Sequence, residues 1–227
     1  MNKSTKIPIS SFILIGGQSK RFGYPKWQSK IGETTLLNHI YNKCSLFNDI
    51  SIVGKERPKG FNKPFIKDEL DFQAPINGIF SALNKSNSDW NFVISIDLPL
   101  ITSDIIRSIW ISGDKYKDAI IPRLEGYSQP ICSFYHKRIF SEISNQIEKN
   151  ELSLNCLIDS IKTDYIDMDN YKKEFLKIKK CAILAKSLKL DVHAGHGLDY
   201  KTTKIHNRIL LKKIEAFFAV FVVCRKK

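Results

Sequence analysis

No apolar run in this 227-residue chain reaches the roughly 18 residues that a membrane-spanning helix needs, so no membrane-embedded role is expected. No apolar segment precedes Phe12, and Met1 to Lys6 reads as a polar, loose start; nothing signals secretion. Cysteine is sparse. Cys44, Cys132, Cys156, Cys181 and Cys224 are scattered, odd in number and form no C-x-x-C pair. Reduced thiols in a cytoplasmic protein fit that pattern. No Ser/His/Asp or Cys/His triad is apparent, so nothing demands a covalent nucleophile. Two phosphate-loop signatures are missing as well. G-x-x-x-x-G-K-[S/T] is absent, which excludes a Walker loop, and G-x-G-x-x-G is absent, which excludes the dinucleotide fingerprint.

The net charge of +13 is not a property of the whole chain. Residues 1–171 carry 21 Lys+Arg against 19 Asp+Glu, whereas residues 172–227 carry 15 against 4. The sequence therefore divides into a near-neutral domain, 1–171, and a basic C-terminal extension, 172–227. A basic segment can mark nucleic-acid binding. The extension lacks aromatic residues interleaved with its cations, and a nucleic-acid partner is not expected.

The most informative stretch is Phe12-Ile-Leu-Ile-Gly-Gly-Gln-Ser-Lys-Arg-Phe-Gly-Tyr-Pro-Lys26. The apolar run Phe12 to Ile15 predicts a buried first strand. It breaks at Gly16-Gly17, where the backbone can bend, and Arg21, Gly23 and Lys26 follow. Such a bend points amide N–H groups inward and adds cations, which suits a phosphate.

Downstream, Leu36, Leu37, Ile40, Tyr41 and Cys44 recur at helical period, with Thr34 or Thr35 as the cap. Ile50–Val53 predicts a second strand ending at Gly54. Pro64–Ile66 predicts a third, which delivers Asp68 at its carboxyl end. Ala74 to Leu83 reads as a loop entering a helix, and Asn91–Ile96 as a strand buried on both faces that ends at Asp97-Leu-Pro. A helix capped by Ser103, strands at 119–121 and 131–135 with a polar loop between them, helices at 137–149 and 154–161, and a last strand at 165–168 complete the pattern. Alternating strands and helices predict an open, mainly parallel, Rossmann-like α/β sheet with helices on both faces. In such sheets ligands bind at the carboxyl ends of strands, where strand order switches. The glycine loop, Asp68 and Asp97 all fall there.

A carboxylate such as Asp97 beside a phosphate loop suits Mg²⁺, which takes one or two carboxylates with waters and substrate phosphates; a plain turn aspartate before Leu-Pro is the other reading. Asp68 can accept hydrogen bonds from a base or ribose, or stand as a solvated loop charge. Arg21 and Lys26 can bind a triphosphate and stabilise charge on a leaving pyrophosphate. Nucleotidyl transfer needs mostly positioning and electrostatics, and these residues suit it.

The loop matches L-x-G-G-x-S-x-R-x-G-x-x-K and resembles the molybdenum cofactor guanylyltransferases, the MobA-like nucleotidyltransferases. The resemblance spans about residues 10–170 and includes Ile66-Lys-Asp68, Pro75-Ile-Asn-Gly78, Ile96-Asp-Leu-Pro99 and Gln129-Pro-Ile-Cys-Ser-Phe-Tyr135. It implies the nucleotide-diphospho-sugar-transferase-like fold. It further implies GTP binding by Leu14, Ile15, Gly16, Gly17 and Lys26, a nucleotide contact from Asp68 and Mg²⁺ on Asp97. The implied reaction has a molybdopterin phosphate attack the GTP α-phosphate and release pyrophosphate, with Arg21, Lys26 and Asp97 as the catalytic set. Transient contact with molybdoenzymes or other cofactor-synthesis proteins would follow. Three positions depart from the family pattern: Ile15 stands where alanine is frequent, Pro25 where aspartate is usual, and Val53-Gly54 where an asparagine is frequent. These leave a cytidylyl- or sugar-nucleotidyltransferase as an alternative, and the altered C-terminal end leaves a nucleotide-binding protein without turnover as another. Within the extension, Lys179 to Tyr200 resembles a stretch of pyridoxine 5′-phosphate synthase, with His196 and Gly197 in its A-G-H-G motif and His193 nearby. One fragment of that barrel cannot build its active site, so a vestigial or fused segment is expected.

Overall fold

The computed structural model describes residues 6–16, 25–31 and 34–172. Gly17, Arg21, His193, His196 and nearly all of the basic extension lie outside these residues.

In chain order the elements are β1 (Ile7–Leu14), β2 (Lys30–Ile31), β3 (Thr34–Thr35), α1 (Leu36–Lys43), β4 (Phe47–Gly54), β5 (Phe65–Lys67), α2 (Pro75–Lys85) and β6 (Trp90–Ser95). Then follow α3 (Ser103–Ser112), β7 (Ala119–Leu124), β8 (Tyr127–Ser128), β9 (Cys132–His136), α4 (Phe140–Glu148), α5 (Leu154–Ser160) and β10 (Thr163–Asp167). Eight strands form one sheet in the order β10-β7-β9-β6-β1-β4-β5, with β8 beside β7, while β2 and β3 pair separately. β1 is parallel to β4 and β6, β4 to β5, and β7 to β10; β9 is antiparallel to β6 and β7. The sheet is thus mixed but mainly parallel.

The strands separate two cores because their side chains alternate between faces. On one face, Ile13, Phe92 and Ile94 pack with Leu36, Leu37 and Ile40 of α1 and Ile105, Ile106 and Ile109 of α3. On the other, Phe12, Leu14 and Val93 pack with Ile76 and Ile79 of α2, Ile143 of α4 and Leu157 of α5. Helices therefore cover both faces, and β1 and β6 are mainly apolar, with their Ser10, Ser11 and Asn91 buried as well.

Several boundaries differ from the sequence expectation. β1 starts at Ile7, since Ser10 is accommodated in the core through a 2.8 Å hydrogen bond with Ser88. Thr35 does cap α1, accepting from the Asn38 amide. The cap of α3 is Thr102, accepting from the Ile105 amide; Ser103 instead donates to the Lys43 carbonyl at 3.0 Å and ties α3 to the end of α1. The polar loop expected from Arg123 is a strand continuation and hairpin. Glu125 and Gly126 turn with positive φ, and Ser128 pairs back onto Arg123. Pairing of β7 with β10 overrides the polar composition there. Among the described residues Cys44, Cys132 and Cys156 are free thiols, and burial pushes Cys44 up to about 12, which makes it inert at neutral pH. No helix among the described residues is long and apolar enough to cross a membrane.

Candidate active site

Strand order decides where the site forms. The chain runs from β1 outward to β4 and β5, then returns to place β6 on the other side of β1. The reversal opens a crevice at the carboxyl ends of β1 and β6. Leu14, Ile15 and Gly16 leave the sheet there, Asp68 follows β5, and Asp97 follows β6.

Backbone hydrogen bonds hold these ends in register. The Ile15 amide donates to the Val53 carbonyl at 2.9 Å, the Asp68 amide to the Gly54 carbonyl at 2.9 Å, and the Ile96 amide to the Leu14 carbonyl at 3.1 Å. Asp68 comes close to the glycine bend: a Cβ built on Gly16 would lie 3.9 Å from its Oδ2. Lys26 Nζ donates to both carboxylate oxygens of Asp97, at 3.1 and 3.0 Å. Each side chain of this pair is 27% exposed, open enough to meet a ligand and shielded enough for the charges to act on it.

The structure therefore brings Leu14, Ile15, Gly16, Lys26, Asp68 and Asp97 to one edge. Gly17 and Arg21 lie outside the described residues, so their place in the site rests on the sequence pattern. Asp97 is already arranged to hold a cation, with Lys26 Nζ on both oxygens. Among the described residues there is no group of three or more His, Cys, Asp or Glu side chains able to hold a metal ion.

One positioning residue had no sequence signal. His39 of α1 hydrogen-bonds through Nε2 to the Pro99 carbonyl at 2.8 Å, across 60 residues of chain. Desolvation lowers its pKa, opposed by that bond and reinforced by Lys43, so the ring is neutral near pH 7 and Nε2 donates. It anchors the Asp97-Leu-Pro turn on α1. Only the fold reveals it, because nothing in the spacing of His39 connects it to position 99.

Two departures from the family pattern explain one another. A Cβ at Gly54 would lie 2.7 Å from Ile15 Cγ1 and 3.3 Å from its Cδ1. Ile15 fills the space that a side chain at 54 would need, so β4 offers only backbone to the crevice here. Gly54→Ala is expected to cost about 1–3 kcal/mol by overpacking. In an Ile15→Ala background the same change should be nearly neutral. A double-mutant cycle read by urea unfolding checks this, and additive effects would show that the two positions do not share the space.

Asp68 makes a second prediction. Burial raises its carboxyl pKa, and Lys55 opposes that effect. The folded state thus binds the proton more tightly than the unfolded chain, so an ionised Asp68 costs stability at pH 7. That cost vanishes as pH falls below the ordinary value of 3.8. Asp68→Asn should raise the Tm at pH 7, with the gain closing as the medium is acidified toward that value. Thermal melts across pH measure it; a lower Tm at pH 7 would contradict the assignment.

Comparison with known proteins agrees with this geometry. A family model described as the MobA-like NTP transferase domain matches residues 11–162. The chain is 28% identical over 166 residues to a protein named molybdenum cofactor guanylyltransferase from Campylobacter jejuni subsp. doylei, covering 71% of this chain and 86% of that one. Its fold resembles the molybdopterin-guanine dinucleotide biosynthesis protein A of Archaeoglobus fulgidus, with a TM-score of 0.63, 19% identity, and coverage of 90% of this chain and 100% of that one. A protein of Aquifex aeolicus VF5 superimposes with a TM-score of 0.61 and 23% identity over 75% of this chain and 93% of its own. From its switch-point crevice and the family match over residues 11–162, the chain belongs to the MobA-like NTP transferases and is a nucleotidyltransferase.

Proposed function

We propose that this protein transfers GMP from GTP to the phosphate of molybdopterin, releasing pyrophosphate, in a Mg²⁺-dependent reaction. The observation that carries the reading is the meeting of Lys26 with both oxygens of Asp97, beside the Gly16 bend, at the switch point of the sheet. The name of its relatives, molybdenum cofactor guanylyltransferase, supports the choice of substrates.

In this reading the Gly16-Gly17 bend directs backbone amides at the triphosphate. Lys26, with Arg21, neutralises the phosphoryl oxygens on which charge grows. Asp68, partly desolvated beside Gly16, accepts hydrogen bonds from the nucleoside. His39 keeps the Asp97 turn in place, so that Asp97 stays aimed at the phosphates. An oxygen of the acceptor phosphate forms a bond to the α-phosphorus, and the bond to the bridging oxygen breaks in line, leaving pyrophosphate. Asp97 is the residue that would hold a magnesium ion, which would supply Lewis-acid neutralisation of the leaving group. Lys26, which contacts both oxygens of Asp97, would turn to the phosphates when nucleotide binds and leave the carboxylate to hold the ion.

Pyrophosphate release is the test, with the full chain, purified molybdopterin, Mg²⁺, and either GTP or CTP. The proposal expects turnover with GTP. Turnover with CTP alone would move the activity to a cytidylyltransferase, and nucleotide binding without any turnover would make this a binding protein.

A further inference from the structure

Arg123 lies on β7, two strands away from β6, near the same carboxyl edge of the sheet as the crevice. Its level follows from register. Ala119 and Ile120 pair with Tyr135 and Phe134, which in turn pair with Asn91 and Phe92. Three residues further along β7, Arg123 stands level with Ser95, which itself pairs with Leu14. Two ladder spacings of about 4.8 Å place its backbone about 10 Å from β6, just below Asp97.

The side chain is held but not satisfied. Its guanidinium carbon sits 3.8 Å from the centroid of the Tyr165 ring, a cation–π stack that fixes the fork in one plane. Its Nε is buried and has no hydrogen-bond partner. No carboxylate among the described residues forms an ion pair with it, in contrast to Arg138, whose Nε donates to Asp118 at 2.5 Å. Buried donors of a charged group are costly to leave unmade, and native proteins seldom do so. A guanidinium fixed in one plane near the carboxyl edge of the sheet is suited to a planar or tetrahedral oxyanion. Ser128, across the ladder from Arg123, lines a cleft of about 270 Å³ between the β7–β8 hairpin and α5, with Tyr127, Asn155 and Asp159. That cleft gives the uncharged body of a substrate somewhere to lie.

We infer that Arg123 binds a phosphate-class anion carried by the acceptor substrate, and so orients the acceptor toward the nucleotide held at Lys26 and Asp97. The acceptor assignment rests on the proposed transfer reaction; the anion site does not. Tyr165 is then a positioning residue, which keeps the guanidinium flat.

The anion site is tested on the full chain without any variant. Phenylglyoxal modification of arginines is followed by peptide mass mapping, with and without inorganic phosphate. Phosphate should slow modification of Arg123 several-fold and leave the exposed Arg57 unchanged. Equal rates at Arg123, or no modification under either condition, would overturn the inference. The acceptor arm uses Arg123→Met and Arg123→Lys. The methionine variant should raise the KM for molybdopterin by tenfold or more with the KM for GTP unchanged, and lysine should restore part of the loss. A merely structural stack would lower the Tm and leave the acceptor KM alone, which would refute the acceptor role. If the wild-type chain turns over neither nucleotide, the transfer proposal fails, while phosphate protection of Arg123 still decides the site.

Discussion

Asp97→Asn should lower Mg²⁺-dependent turnover by about 10²–10³-fold or more while leaving the fold intact. The structure places this carboxylate directly on a site cation, with Lys26 Nζ at 3.0 and 3.1 Å. An amide of the same shape keeps the turn and the His39 anchor, because the latter goes to the Pro99 carbonyl and not to Asp97. It removes the negative charge that holds a cation against the phosphates, an interaction of the kind whose loss costs two to three orders of magnitude in rate. The stability cost should be small. The pair is partly exposed, and such ion pairs contribute about 0–1 kcal/mol. Steady-state assays beside thermal melts separate the two. Retention of most activity would remove Asp97 from the mechanism, and a collapse in Tm would make its role structural.

Lys26→Ala should weaken nucleotide binding by about 1.5–3 kcal/mol, the range for a hydrogen bond to a charged group. That is about a 10- to 150-fold rise in the Kd for GTP. The direction is not obvious from the structure alone, in which Lys26 contacts Asp97. Removing it strips one charge from the triphosphate and also leaves the carboxylate without its ammonium. Combined with Asp97→Asn, the loss should be less than additive, since both changes disable the same cation-phosphate cluster. Titration calorimetry with a non-hydrolysable GTP analogue measures it for the two single variants and the double variant. Full additivity would mean that the 3.0 Å contact is incidental.

The sheet was legible because its strands are buried on both faces. Phe12–Ile15 is an unbroken apolar run and Asn91–Ile96 is broken only by Ser95 after its leading asparagine, the near-continuous pattern of strands in a parallel core. The carboxyl-edge rule then placed Asp68 and Asp97 without any coordinates, and both ends are where it put them. What escaped was long-range or compensated. The antiparallel insertion of β9 depends on pairing with β6 and β7, which no local period reports. The Arg123 strand end looked like loop because proline, arginine, glutamate and glycine follow one another, yet Tyr165 and β10 hold it extended. Thr102 and Ser103 are adjacent hydroxyl residues, and only the fold assigns one to the cap and the other to α1. The Ile15–Gly54 pairing is likewise a matter of volume across two strands, invisible in either stretch alone.

The proposed transfer requires a glycine bend and a carboxylate from separate strands to act together on one triphosphate and its metal ion. Crystals of the full chain soaked with Mn²⁺ and a non-hydrolysable GTP analogue test this directly, through the anomalous signal of the metal. The account predicts a manganese peak bound to an Asp97 oxygen, with the phosphates against Gly16 and Lys26 Nζ swung from the carboxylate onto them. A metal and triphosphate seated elsewhere, with the Lys26–Asp97 pair still closed, would contradict it.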